Sequence, residues 1–221
     1  MQGHDPLNRL KGLRAQFFED EQSLGRRKIP LLRQSRDAEF ATYRENARWD
    51  QGGVTFVTLH VVGSNDGLGR SEEGDKEHAD RKHANIIWLR QAFAHAKSSK
   101  SRAIMILQQA NMYPESTPFP GKPMKPSGFT ELRELLEQEA TAFRDPVVLV
   151  HGDSHYFRID NPLRKSAPPG GRVPPSLENF RRVETFGTPN HHWLHVTVDL
   201  NDPNVFTFRP RMVRANFIKR Q

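Results

Sequence analysis

No cysteine occurs in the 221 residues, which excludes disulfide staples and thiolate metal sites and leaves imidazole and carboxylate as the ligands on offer. Ten histidines keep that option open. No run of about 18 apolar residues exists, so no segment reads as a membrane span and no membrane partner is expected. Met1–Leu10 has no apolar core of the kind a signal peptide needs. Blocks of like charge are absent too. The chain carries 33 Lys and Arg against 26 Asp and Glu, a net +7, but the basic residues are scattered in short groups such as Arg26-Arg27-Lys28, Arg81-Lys82 and Arg181-Arg182. A basic balance favours anionic partners such as phosphates. No linear segment alternates basic and aromatic residues as a single-strand platform would, so nucleic acid is not an expected partner. No repeat and no interdomain linker interrupts the sequence, which reads as one domain over 1–221.

What is present is an alternation of buried strands and amphipathic helices. Val54–Val62, Ala103–Leu107 and Val147–Val150 are apolar, β-branched runs of the type buried on both faces of a sheet. Between them lie helical patterns. His83–Lys97 places Ile86, Leu89, Phe93 and Ala96 on one face, and Thr130–Phe143 places Leu132, Leu135, Leu136 and Phe143 inward. Residues 68–80 are charged and aperiodic and read as a surface loop. A first helix is expected after Asp5-Pro6, with Leu7, Leu10, Leu13 and Phe17 inward, and residues 29–50 read as irregular. The Pro/Gly-rich loop 114–128 is long enough to line a site, and a second Pro/Gly-rich loop spans 162–175. At the end, Trp193–Leu200 alternates apolar and polar residues, and after Asn201–Asn204 the chain returns through Val205–Arg209, a one-sided antiparallel hairpin. The order strand, helix, strand, helix, strand makes the fold α/β.

All three buried strands run into polar turns: Gly63-Ser64-Asn65, Gln108-Gln109-Ala110-Asn111 and Gly152-Asp153-Ser154-His155. The carboxyl edge of such a sheet is where α/β folds bind ligands. Asp153 and His155 share a face in extended geometry and suit one metal ion. Serine hydrolysis through Ser154 would need an Asp and a His far downstream, and only His191, His192 and His195 follow. A two-metal hydrolase opening with Asp153-Ser154-His155 would need further ligand motifs after it, and none is there.

The segments Gly152–Arg158, Ile106–Tyr113, Val61–Asn65 with Trp88-Leu89, Glu45-Asn46-Ala47-Arg48-Trp49 and Glu184–Gly187 together resemble the C-terminal part of the calcineurin-like metallophosphoesterase superfamily, most closely an uncharacterised bacterial subgroup. That resemblance implies a sandwich of β-sheets flanked by helices, here without its N-terminal strands, and hydrolysis of a phosphate ester assisted by divalent Mn, Mg, Fe or Zn. It puts Asp153, His155 and Gln109 at metal-ligand positions, His151 behind them, and Arg158 and Asn65 near the substrate. Arg158 equally suits an ion pair with Asp160. Gln109 and Asp153 stand where the superfamily has imidazoles, which shifts a site towards Mg²⁺, Mn²⁺ or Ca²⁺. The opening ligand motifs of the superfamily are absent from these residues. A catalytically inactive module that self-associates through an exposed sheet edge is therefore the competing expectation.

Overall fold

The computed structural model describes residues 6–113, 127–164 and 175–217, with no side-chain description at 6 and 7. The chain runs α1 (Pro6–Phe17), β1 (Leu32–Arg33), β2 (Ala47–Gln51), β3 (Val54–Thr58), α2 (Gly63–Asp66), α3 (Glu72–Ser98), β4 (Ala103–Leu107), α4 (Thr130–Phe143), β5 (Val147–His151), β6 (Arg158–Asp160), β7 (Phe180–Glu184), β8 (Trp193–Val198) and β9 (Phe206–Arg211). Seven strands form one mixed sheet in the order β1-β2-β3-β4-β5-β7-β6, and β8-β9 form a separate antiparallel hairpin. The central four, β3, β4, β5 and β7, are parallel. The fold is α/β, as the alternation of elements predicts. Most of both Pro/Gly-rich loops, and Asp5 ahead of α1, lie outside the described residues.

Strand parity sorts the core into two clusters. Ile104 and Ile106 of β4, with Val147 and Leu149 of β5, face α3 and α4. Ala103 and Met105, with Val148 of β5 and Val183 of β7, face Leu194, Val196, Phe206 and Phe208 of the hairpin. The molecule is thus helices, sheet and hairpin in three layers. Phe93 of α3 meets Phe143 of α4 edge-on at 5.8 Å between centroids, which fixes how the two helices seat together.

Several expected boundaries move. α3 begins at Glu72, so most of the expected loop 68–80 is helix. Ser71 caps it by accepting the Gly74 N–H at 3.1 Å, and Glu72, Glu73 and Asp75 suit the positive end of its dipole. The periodicity is hidden there because the buried residues of those turns are His78 and Arg81. β3 stops at Thr58. β7 and β6 add two strands where no strand pattern stands out, since Phe180-Arg181-Arg182-Val183-Glu184 buries an arginine and a glutamate. Within residues 29–50, β2 forms and pairs with β3 around Gly52 and Gly53, both at positive φ.

Glu45-Asn46 ties the N-terminal elements to this sheet. The Asn46 side chain is buried, accepts the His60 N–H at 2.7 Å and donates to Gln34 and Asn85. Glu45 lies 2.6 Å from both Arg14 of α1 and the His60 Nδ1. Burial raises the Glu45 carboxyl pKa, but the hydrogen bonds from His60 and Arg14 outweigh it and hold it at about 2. A carboxyl with a depressed folded pKa contributes stability that is present above its unfolded value and lost as pH falls through the folded one. Stability should therefore decline as pH drops from 4.5 towards about 2. Acid unfolding followed by circular dichroism checks this: Glu45→Gln should flatten that part of the curve, and an unchanged slope would refute the assignment.

Candidate functional site at the carboxyl edge of the sheet

Beyond β3 the four residues of α2 do not wind as a right-handed helix but make an unusual turn. Ser64, Asn65 and Asp66 have φ of 56°, 62° and 56°, and Gly67 follows at 82°. Three consecutive L-residues in the left-handed region cost roughly 1–2 kcal/mol each, so other contacts must impose the shape. Asp66 supplies most of them. Its carboxylate accepts the Val62 N–H at 3.0 Å and pairs with the Arg81 guanidinium, and its carbonyl accepts from Arg81 Nη2 at 2.8 Å. His78 Nδ1 lies 3.0 Å from the same carbonyl. Asn65 Oδ1 accepts the Gly128 N–H at 2.8 Å and so holds the end of the first Pro/Gly-rich loop against the turn.

The turn delivers Gly63 to the ends of β4 and β5. Its N–H donates to Gln109 Oε1 at 2.6 Å, and Gln109 Nε2 donates to Asp153 Oδ1 at 2.8 Å. The other oxygen, Asp153 Oδ2, accepts the Asn111 N–H at 3.1 Å. A Cβ at position 63 would stand 2.8 Å from Asp153 Oδ1, so only glycine permits this approach. Asn111 Nδ2 donates to Ser154 Oγ at 3.1 Å, closing a ring of polar groups over three strand ends. Gln109 and Asp153, both expected at a site from sequence, are thus in direct contact.

His155 stands apart from that ring. It is exposed, adopts φ of 66°, packs its ring on Gly187 and places Nδ1 2.9 Å from the Thr188 carbonyl. With Nδ1 donating to that carbonyl, the Nε2 lone pair is left for another partner. Arg158 binds Glu184 (Nε–Oε2 2.8 Å), while Asp160 binds Arg182 (Oδ1–Nε 2.7 Å). Glu184 is fully buried, and its Oε1 also accepts the Ser154 N–H at 2.7 Å, so it anchors the Gly152–Ser154 turn from below.

His151 is buried beside it and registers with Glu184 across β5 and β7. Its Nδ1 lies 4.0 Å from Glu184 Oε1, and neither ring nitrogen has a hydrogen-bond partner among the described residues. Burial pushes its pKa below the usual imidazole value. Glu184 opposes that shift, and Arg182 and Arg158 reinforce it. Burial thus favours the neutral ring. Glu184, Gly63 and Asn111 belong to this site by contact. Glu184 enters the sequence reading only within the segment Glu184–Gly187, with no role of its own.

On donor chemistry, two groups suit a divalent ion. Asp153 keeps spare lone pairs on both oxygens, and His155 has its outer nitrogen oriented by a carbonyl behind it, the arrangement that usually supports a metal-binding imidazole. Gln109 does not suit one in this orientation, because its oxygen faces the Gly63 N–H and its amino group faces the carboxylate. Among the described residues no cluster of three or more His, Asp or Glu is gathered. No family model, no curated protein and no solved structure matches this chain.

Proposed function

We propose that the carboxyl edge of the sheet is a metal-dependent phosphoester-hydrolysing site, with Asp153 and His155 as this chain's ligands to a divalent ion. The observation that carries the proposal is the convergence of three parallel strand ends on the Asp153 carboxylate, with Gly63 kept bare to admit it. An ion bound there would clamp phosphoryl oxygens and lower the pKa of a coordinated water. The protein's own groups would do the positioning. Gln109 and the Asn111 N–H orient the carboxylate, the Thr188 carbonyl orients His155, and Glu184 fixes the turn that carries both.

One observation favours a non-catalytic reading, in which the chain is a metallophosphoesterase-like module that binds itself or a partner. Each Asp153 oxygen already accepts an N–H, and the Gln109 oxygen is taken by Gly63. Calorimetric titration with MnCl₂ beside hydrolysis of a nitrophenyl phosphodiester separates the two. The catalytic reading expects Mn²⁺ binding and turnover, both falling by about a hundredfold or more in Asp153→Ala. If the wild-type chain takes up no Mn²⁺, or Asp153→Ala binds and turns over as well as wild type, the metal proposal fails and the module reading stands.

A further inference from the structure

The outer face of the terminal hairpin assembles residues that the linear sequence keeps apart. Alternate residues of β8 and β9 face the sheet, as Leu194, Val196, Phe206 and Phe208 do. The other set faces outward, and the register pairs Trp193 with Arg211, His195 with Arg209, and Thr197 with Thr207. All six are exposed, and Trp193 keeps 53% of its surface in solvent. Trp193 and His195 lie along one strand with ring centroids 6.2 Å apart, and Arg211 Nη2 lies 3.4 Å from His195 Nδ1. Neither arginine forms an ion pair among the described residues. The outward row of the two strands contains no acidic residue. Between 186 and 221 the only acids are Asp199 and Asp202, and both belong to the connecting turn, where each accepts a backbone N–H two residues on.

We infer that this face is a docking surface for single-stranded nucleic acid, with bases stacking on Trp193 and His195 and phosphates meeting Arg209 and Arg211. The physical match lies in spacing and charge. Alternate residues of a strand repeat at about 6.8 Å, close to the step between successive bases of an extended single strand, and each base has a π-face to stack whatever its identity. Arginines directly across the ribbon supply the counter-charge within reach of the intervening phosphates. A large exposed tryptophan on the solvent face of a two-stranded ribbon contributes nothing to the core beneath it, which the opposite row of side chains fills. The inference requires no chemistry at Asp153.

The test uses the full chain with a short fluorescein-labelled oligothymidylate and its uridylate counterpart, read by anisotropy over a salt series. Binding is expected to quench tryptophan emission. Trp193→Ala should weaken binding by about tenfold or more and Trp193→Phe much less, since a phenyl ring still stacks. Arg209→Ala and Arg211→Ala should each reduce the slope of log K against log salt by about 0.7, one phosphate contact per residue. These side chains are exposed, so unchanged thermal melting confirms that the variants fold. No binding at low salt overturns the inference, as does binding that Trp193→Ala and the double arginine variant leave intact. Trp193-dependent binding to phosphatidylserine vesicles without binding to either oligonucleotide also overturns it and makes the face a lipid surface instead.

Discussion

Asp66→Ala is expected to lower stability by about 3 kcal/mol, because it removes one of the two carboxylate partners of a buried arginine. The Arg81 side chain is 1% exposed. Burial disfavours its charge, and Glu77 and Asp66 together offset that penalty. Without Asp66 the guanidinium keeps Glu77 at 2.8 and 3.0 Å and two backbone carbonyls, and Val62 loses the acceptor of its N–H. Alanine is also a poorer fit than aspartate to the left-handed region, which adds to the cost. Asp66→Asn keeps an acceptor and a residue tolerant of that backbone, so it should fall between the two. Urea unfolding at neutral pH reads the difference as a lower midpoint at an unchanged m-value. Equal midpoints for wild type and Asp66→Ala would mean that the turn does not depend on the pair.

Glu184→Ala is the second large effect, at about 3 kcal/mol, and it reaches the site. The carboxylate is inaccessible to solvent and serves two donors, the Ser154 N–H and Arg158 Nε. Its loss removes the carboxylate that Arg158 Nε and the Ser154 N–H bind, and it frees the turn that places Asp153 against Gln109. Glu184→Gln preserves the volume but has one acceptor oxygen for two donors, so it should recover only part of the loss. Denaturant midpoints for the three proteins give the ordering. A Gln variant as stable as wild type would show that the carboxylate charge is dispensable and that shape alone holds the turn.

How much of this was readable beforehand depended on what each element buries. β4 and β5 announce themselves because Ile104, Ile106, Val147 and Leu149 leave no polar position in the run, and the two faces of the sheet are both covered. The first turns of α3 hide because their inward side chains are His78 and Arg81, whose burial is only intelligible once Asp66 is beside them. β7 hides for the same reason, with Arg182 held by Asp160 and Asn111. Asp153, Gln109 and His155 stood out as polar residues after apolar strands. That Gln109 turns its amino group to Asp153, and that His155 leans on Gly187 instead, follows from turn geometry that spacing does not encode. The hairpin's alternation was plain, while its outward row required the cross-strand register.

The left-handed turn at Ser64–Asp66 has a consequence for the order in which the molecule assembles. Asn65 and Asp66 tolerate that conformation, and Asp66 accepts the nearby Val62 N–H, but its remaining supports come from Arg81 and His78 on α3 and from Gly128 more than sixty residues away. An early chain, with β3 formed and α3 not yet docked, would leave residues 64–66 in ordinary right-handed or extended geometry. Gly63 would then not be aimed at Asp153. The polar ring over the strand ends therefore depends on a helical layer that is already in place.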